Sequence, residues 1–179
     1  APIYTNDLVT ATVDAYDSDG DTPLIYFQWY VDGIEVKSGL GGPLDGVDYF
    51  DKEQEILVVA YADDGIDQSF LVPSTPIMVQ NSPPIPPEVN LGGEYSSDTD
   101  DLHCNITTPS IDEDGDDISY TTSWFLNGEG YLGPVEDNFN QGDSVLGFFP
   151  NPGEVWECTV QASDGSSITE EITSSTLLT

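Results

Sequence analysis

Positive charge is almost absent from this sequence of 179 residues. It has no arginine, and Lys37 and Lys52 stand against 34 acidic residues, which gives a formal net charge of −32. Proteins that bind nucleic acid neutralise phosphates with lysine and arginine, so this balance excludes nucleic-acid binding by the ordinary electrostatic route. It also argues against adhesion to an anionic membrane. Cations must offset the self-repulsion, either as loosely held salt ions or as divalent ions in defined sites.

Long apolar runs and the usual catalytic residues are also scarce. The longest apolar run, residues 56–62 (ILVVAYA), is far too short to cross a bilayer, and the residues from Ala1 onward show no signal-peptide pattern. Histidine is limited to His103, and the only cysteines are Cys104 and Cys158. No serine lies in a nucleophile elbow. We therefore expect no membrane insertion and no enzyme.

What is present is an internal repeat. The stretch DSDGDTPLIYFQWYVDG at residues 17–33 returns as DEDGDDISYTTSWFLNG at residues 112–128. The offset between the copies grows from 94 to 100, mostly because the second copy has about five extra residues between positions 128 and 153. Self-similarity at this spacing predicts two domains.

Each copy contains short alternating strands broken by Gly, Pro, Asn and Asp, a pattern typical of an antiparallel sandwich. We assign three strands per copy with the letters B, C and F. Strand B covers residues 8–15 and 102–109, strand C running into a turn covers residues 26–33 and 120–128, and strand F with its following loop covers residues 55–65 and 155–165. We place the domains at residues 1–82 and 83–179, with a stiff proline-rich linker at residues 80–89.

The two cysteines define the fold more closely. Cys104 falls on strand B and Cys158 on strand F, with Trp124 between them on strand C, which is the Cys–Trp–Cys order of an immunoglobulin domain. We predict an all-β chain of two tandem immunoglobulin-like antiparallel β-sandwiches, the second with a B–F disulfide. The alternative is two buried free thiols. A disulfide implies an oxidising compartment, extracellular or at the cell surface. The first copy has Thr10 and Val58 at the matching positions, so its core must hold without a bridge.

Each copy places three alternating aspartates ahead of strand C, around a glycine that bends the chain. Hard carboxylate oxygens that face one point suit calcium, although the downstream strand and the lack of a glutamate at position twelve exclude an EF-hand. The loop after strand F lies at the same end of such a sandwich and would add oxygens. The predicted Ca²⁺ ligands are Asp17, Asp19, Asp21, Asp63 and Asp64 in the first copy, Asp112, Asp114, Asp116 and Asp164 in the second, and Asn81 of the linker. The alternative is an acidic turn without an ion.

The motifs DSDGD and DEDGD precede YFQWYVDG and YTTSWFLNG, and the strands F end in VAYADDG and VQASDG. In these motifs, and over nearly its whole length, the chain resembles the tandem immunoglobulin-like, cadherin- or PKD-like repeats of bacterial and archaeal surface proteins. The resemblance implies a prokaryotic extracellular scaffold whose ions stiffen the joints between domains. Such repeats occur in adhesins, surface layers and appendages of secreted enzymes, so the function does not follow from the fold.

The first copy lacks an obvious strand A. Residues 83–94 should contain strand A of the second copy, whereas the first begins almost directly at strand B, and the sequence stops where strand G stops. Either the chain is a segment of a longer array, or a neighbouring chain fills the exposed edge by strand addition, which joins copies head to tail into a filament. The second aspartate cluster is expected at the joint between the domains, and the first faces whatever precedes it.

We therefore predict an extracellular, calcium-stiffened structural subunit that contacts identical chains or neighbouring repeats in a filament or surface array. The alternative is an adhesion or carbohydrate-binding module of a larger cell-surface protein, with Tyr131, Phe148 and Phe149 as an aromatic platform. A further prediction concerns the sequence NIT, which makes Asn105 a glycosylation acceptor. Asn105 and His103 both neighbour inward Cys104, so strand alternation turns them outward.

Overall fold

The computed structural model describes residues 1–92, 101–147 and 149–178. The chain divides into two compact units, residues 1–82 (unit 1) and residues 83–179 (unit 2). Each has its own apolar core, built by the inward side chains of antiparallel strands. The fold is all-β, with two tandem immunoglobulin-like sandwiches. No helix in the described part of the chain is long and apolar enough to span a membrane.

Unit 1 contains eight strands and one turn of helix among the described residues. They are β1 (Ile3–Tyr4), β2 (Leu8–Val9), β3 (Leu24–Val31), β4 (Ile34–Leu40), β5 (Leu44–Asp45), α1 (Gly46–Tyr49), β6 (Glu55–Asp63), β7 (Val72–Pro73) and β8 (Ile77–Gln80). The larger sheet has the order β1-β8-β6-β3-β4, with β7 also paired to β6, and the smaller sheet joins β2 to β5. Helix α1 begins after Asp45, whose carboxylate accepts a hydrogen bond from the Val47 N–H.

Unit 2 contains seven strands among the described residues. They are β9 (Glu88–Gly92), β10 (Leu102–Thr108), β11 (Ser119–Leu126), β12 (Glu129–Gly130), β13 (Ser144–Val145), β14 (Val155–Ser163) and β15 (Ile172–Leu177). One sheet has the order β13-β10-β9 and the other β12-β11-β14-β15. A disulfide between Cys104 of β10 and Cys158 of β14 joins the two sheets, so the predicted pair is bonded.

The two tryptophans of the repeat hold equivalent positions. Trp29 and Trp124 are buried, at 2 % and 4 % exposure. The indole N–H of Trp29 donates to the carbonyl of Gly42 at 3.3 Å, and that of Trp124 donates to the carbonyl of Gly142 at 2.7 Å. The tryptophan and its glycine are 13 residues apart in unit 1 and 18 residues apart in unit 2. The predicted insertion of about five residues therefore lies between Trp124 and Gly142.

Strand B of unit 1 is much shorter than its prediction. The predicted strand covers residues 8–15, but β2 has two residues, and in the described chain residues 10–23 belong to no strand. In unit 2 the equivalent strand β10 has seven residues because β9 pairs with it along its length. Unit 1 has only the short β1, which lies parallel to β8.

Strand B of unit 1 is also shifted by one residue from the alignment of the two copies. That alignment matches Leu8 with Leu102. In the structure Leu102 pairs with Val145, which is fully buried. The residue that pairs with the equally buried Leu44 is Val9, whereas Leu8 is 61 % exposed. Val9 is therefore the equivalent of Leu102.

The shift changes which residue stands in the place of the first cysteine. Ala11, two residues beyond Val9, packs against the core, whereas Thr10 is exposed. Ala11 is therefore the equivalent of Cys104, and the assignment of Thr10 was wrong. A slip of one residue turns every side chain of a strand to the opposite face.

Candidate metal centres

The acidic cluster of unit 1 is formed by Asp17, Asp21 and Asp64. One carboxylate oxygen from each lies within 4.8 Å of the others. Asp17 and Asp21 lie in the loop before β3, and Asp64 lies directly after β6. The first residue of β3, Leu24, pairs with the last residue of β6, Asp63, so the two loops begin side by side. The predicted approach of the two loops is thus present in this unit.

Backbone N–H groups hold the carboxylates of unit 1 in place. Asp17 Oδ1 accepts from the N–H of Asp19 at 2.7 Å and from that of Gly20 at 3.1 Å. The N–H groups of Asp67 and Ile66 donate to Asp64 Oδ1, each at 2.8 Å. These donors, Asp67 first, hold the pKa of Asp64 below its ordinary value, so this carboxylate is ionised at neutral pH.

Two predicted ligands of unit 1 lie outside the group of three. Asp19 is exposed and contributes its backbone N–H to Asp17. Asp63 Oδ1 accepts from the N–H of Gly65 at 2.8 Å and so shapes the turn after β6. The structure brings together three of the five carboxylates that the sequence proposes here.

The acidic cluster of unit 2 is formed by Asp112, Asp114 and Asp116, all from the loop before β11. Their carboxylate oxygens also lie within 4.8 Å of one another. Asp112 Oδ1 accepts from the N–H of Asp114 at 2.9 Å and from that of Asp116 at 3.4 Å, whereas the second donor to Asp17 in unit 1 is Gly20. The second oxygen, Asp112 Oδ2, is buried and has no hydrogen-bond partner. A buried carboxylate oxygen without a partner is costly, and a bound cation would compensate it.

Asp164 and Asn81, the other predicted ligands, have contacts of their own. Asp164 Oδ1 accepts from the N–H groups of Ser166 and Ser167 and shapes the turn after β14. It is not in the group of three. Asn81, in unit 1, accepts at Oδ1 from Lys52 Nζ at 3.5 Å and donates to the carbonyl of Ser82 at 3.1 Å.

The cluster of unit 2 adjoins the first residues of that unit. The N–H of Ile85 donates to the carbonyl of Ile111 at 2.9 Å, and Ile111 directly precedes Asp112. Glu88 at the start of β9 accepts from the Thr108 hydroxyl at 2.6 Å. The chain therefore passes the aspartate loop as it begins unit 2.

Tyr131 and Phe149 of unit 2 do not form an exposed aromatic platform. The ring of Tyr131 packs edge-on against Trp156 at 4.8 Å, and Phe149 packs against the same core. Burial raises the pKa of the Tyr131 phenol. The platform prediction was wrong for Tyr131 and Phe149 because both are used for packing, and Phe148 lies outside the described residues.

His103 and Asn105 follow strand alternation only in part. Asn105 is exposed, as a glycosylation acceptor must be. His103 is half-buried, and its Nδ1 lies 2.8 Å from the hydroxyl of Ser144 on the paired strand β13. The structure thus gives His103 a strand-to-strand contact that the sequence did not predict.

A buried carboxylate in the insertion was missed. Asp143 is 3 % exposed and accepts from three backbone N–H groups, those of Asn138, Phe139 and Asn140, at 2.8–2.9 Å. Burial acts to raise its pKa, but these donors and the Ser144 hydroxyl outweigh burial and lower it. The sequence NFNQGD, residues 138–143, places this aspartate three to five residues after asparagines that favour turns. That pattern is too common to identify a buried carboxylate from sequence.

Comparison with known proteins gives weak similarities. No family model and no curated protein matches the sequence. Among solved structures, the FN1–FN3 domains of chicken CNTN1 are 13 % identical with a TM-score of 0.39, over 88 % of this chain and 58 % of that one. The chicken interferon gamma receptor alpha chain is 14 % identical with a TM-score of 0.42, over 88 % of this chain and 87 % of that one. Domains 3–5 of the extracellular part of Drosophila OTK are 12 % identical with a TM-score of 0.31, over 99 % of this chain and 67 % of that one.

Proposed function

We propose that this chain is an extracellular structural module whose two sandwich domains each bind one Ca²⁺ ion at the loop before strand C, which in unit 1 is joined by Asp64 from the loop after strand F. The observation that carries the proposal is Asp112 Oδ2, a buried oxygen without a hydrogen-bond partner in a group of three converging carboxylates. The group in unit 1, where Asp64 joins Asp17 and Asp21 of the equivalent loop, supports a second carboxylate site.

The donor set suits calcium better than other ions. All the grouped ligands are carboxylates, with no histidine or cysteine among them, and hard oxygen donors favour Ca²⁺ and Mg²⁺. Three carboxylates leave room for carbonyl and water ligands in the irregular coordination of six to eight oxygens that calcium accepts. We expect dissociation constants of about 0.1–1 mM, the range of extracellular modules.

An extracellular location is supported by the disulfide. The Cys104–Cys158 bond joins the two sheets of unit 2, and such bonds persist outside the cytosol. The origin in a bacterial or archaeal surface protein stays a prediction, as does the role in a filament or surface array. The carbohydrate-binding alternative loses the support of Tyr131 and Phe149, which are partly buried and pack against the core.

The role of the ions would be to stiffen the start of each sandwich. In unit 2 the first residues of the unit run beside the aspartate loop through the contact between Ile85 and Ile111. An ion bound by Asp112 would fix the loop to which that segment is hydrogen-bonded. Ion binding would thereby restrict the linker, which is the stiffening that an array of domains requires.

Isothermal titration with CaCl₂ in 150 mM NaCl tests the proposal. We expect two saturable sites for the wild type, and one for the variant with Asp112, Asp114 and Asp116 replaced by asparagine. Glu113→Gln is the matched control, because Glu113 is exposed in the same loop and outside the group. If the wild type shows no saturable binding, or if Glu113→Gln and the triple variant lose the same binding, calcium is not a ligand of these loops.

A further inference from the structure

An open apolar groove runs along unit 1 where strand B stops. One wall is formed by residues 9–16 and the other by residues from 69–77, and the floor includes Val58 and Ala60 of β6. The groove consists of two adjoining cavities of about 280 and 330 Å³ that share Val13, Ala60 and Val72. The first wall has eight residues, and eight residues paired as a strand would span about 26 Å.

The groove exposes apolar surface in a chain that is otherwise strongly acidic. Val13, Val72 and Ile77 on its walls are 38 %, 57 % and 45 % exposed, and Phe70 is 93 % exposed. Asp14 is the only charged residue in its lining, although the chain has 34 acidic residues. Apolar surface kept free of charge in this way is typical of a surface that another segment covers.

Unit 2 shows which kind of segment fills this place. There β9 pairs antiparallel with β10, and the N–H of Leu91 donates to the Ser174 hydroxyl of β15 at 2.8 Å. Leu91 is 6 % exposed, and it and Val89 pack against the core that contains Cys158 and Val160. Strand β9 therefore lies over the core between β10 and β15.

The floor of the groove in unit 1 is equivalent to the surface that β9 covers. Val58 pairs with Trp29 in unit 1, as Cys158 pairs with Trp124 in unit 2. Ala60 follows Val58 by two residues, as Val160 follows Cys158. The groove and the place of β9 are thus the same position in the two sandwiches.

We propose that this groove is an acceptor site for a β-strand from another chain, with apolar residues at alternate positions as in β9. The inference deepens the proposed function by giving assembly a defined acceptor, and it does not depend on calcium. The net charge of −32 would repel an acidic strand, so the outward residues of the partner strand are neutral or basic.

The backbone of residues 10–13 supplies the pairing edge. In unit 2 the N–H of Cys104 donates to the backbone carbonyl of Asp143, on the side of β10 away from β9. Successive N–H groups of a strand point to opposite sides, so the N–H of the next residue, Asn105, faces β9. The shifted equivalence places Thr12 at the position of Asn105. By this equivalence we expect the N–H of Thr12, which belongs to no strand in the structure, to donate to the incoming strand.

The test uses the full chain in excess EDTA and a capped peptide with the β9 sequence PPEVNLG, residues 86–92. A second peptide replaces Glu88 with glutamine. Two-dimensional NMR should show saturable shifts confined to the walls, residues 9–16 and 69–77, and to the floor around Val58 and Ala60, with the neutral peptide binding more tightly at low salt. A peptide in which serine replaces both Val89 and Leu91 should bind at least about tenfold more weakly than the unchanged peptide, because both substitutions remove apolar area that the groove would bury.

The matched protein variants are Thr12→Pro and Thr12→Ala. Proline removes the N–H but alanine keeps it, so only Thr12→Pro should weaken binding, by about tenfold or more. Equal melting temperatures of the two variants establish that both fold. Shifts that map to the outer face of the sheet, or equal peptide affinity of both variants, would each overturn the strand site. Binding of decanoate, an apolar probe without a peptide backbone, in the absence of any peptide binding would overturn it as well. Because EDTA is present, loss of the calcium sites would leave this result unchanged.

Discussion

In unit 2 the space between β10 and β15 is filled by β9 and a disulfide joins the sheets, whereas unit 1 has an open groove there. The two units nevertheless share the same framework, from the aspartate loop to the buried tryptophan that donates to a glycine carbonyl. Unit 1 has Ala11 and Val58 where unit 2 has its cysteines. The framework therefore specifies the sandwich, while the closure of its edge is a separate feature that each copy handles differently.

Removal of the disulfide should have the largest effect on this comparison. The variant Cys104→Ala/Cys158→Val gives unit 2 the residue pair of unit 1. The bond closes a loop with a sequence separation of 54, so its loss should reduce the free energy of unfolding of unit 2 by about 4 kcal/mol. Native-state hydrogen exchange resolves the two units, and unit 1 serves as the internal control. Unchanged protection of β10 and β14 would show that the bond is not what distinguishes the units.

Replacement of the buried aspartate in the insertion should have the second largest effect. Asp143→Asn weakens three charge-assisted hydrogen bonds and should cost unit 2 about 2–3 kcal/mol, measured by urea unfolding at pH 7. Glu136→Gln, an exposed site in the same loop, should have little effect.

The pH dependence of that loss provides a sharper test. The folded-state pKa of Asp143 lies below its ordinary value of 3.8, so its stabilisation is present above pH 3.8 and is lost as the pH falls through the lower folded-state value. The difference between wild type and Asp143→Asn should therefore shrink in acid. A difference that stays constant from neutral pH to about pH 2 would contradict an ionised Asp143 in the folded state.

Calcium should have a smaller effect, and it should act on each unit separately. With a dissociation constant near 1 mM, about 10 mM CaCl₂ should stabilise unit 2 by about 1.4 kcal/mol. Replacing Asp17 and Asp21 with asparagine should abolish the stabilisation of unit 1 by calcium and leave that of unit 2 unchanged. Asp19→Asn is the control, since its carboxylate lies outside the group. If calcium stabilised unit 2 less in the Asp17/Asp21 variant than in the wild type, the two sites would not be independent.

Glycosylation at Asn105 should have the smallest effect on stability. The side chain is exposed on β10, so a glycan there should change the free energy of unfolding by less than about 0.5 kcal/mol. Intact mass of the natively expressed protein reveals occupancy, with Asn105→Gln as the control. A mass equal to that of the bare chain would exclude the modification.

Strands with strong local signals could be predicted from the sequence. Strands C and F became β3, β6, β11 and β14, because alternation and the flanking Gly and Asp residues mark them locally. The disulfide also follows from the Cys–Trp–Cys order. Strand B of unit 1 could not be predicted in the same way, since its length depends on a partner strand that local residues do not encode.

The register and the ligand sets show where sequence reasoning ends. The slip from Thr10 to Ala11 arose because a local alignment cannot see that Val9 pairs with Leu44. Similarly, alternating aspartates indicate a loop rich in oxygen ligands, but backbone turns decide which carboxylates converge. Asp63 and Asp164 were predicted as ligands because they lie at the loop after strand F; each accepts hydrogen bonds within its own turn, and neither is in the group of three of its unit.

The bond between the Trp124 indole and Gly142 has a consequence for protein engineering. It fixes both ends of a loop whose length already differs by five residues between the two copies. A loop anchored at both ends is a natural place to graft a foreign peptide, because closure entropy grows only slowly with added length. In unit 1 the stretch between Trp29 and Gly42 includes the edge strand β4, so a graft there would disturb the sheet. Unit 2 is therefore the better display scaffold, with the insertion between β12 and Asp137 as the graft position.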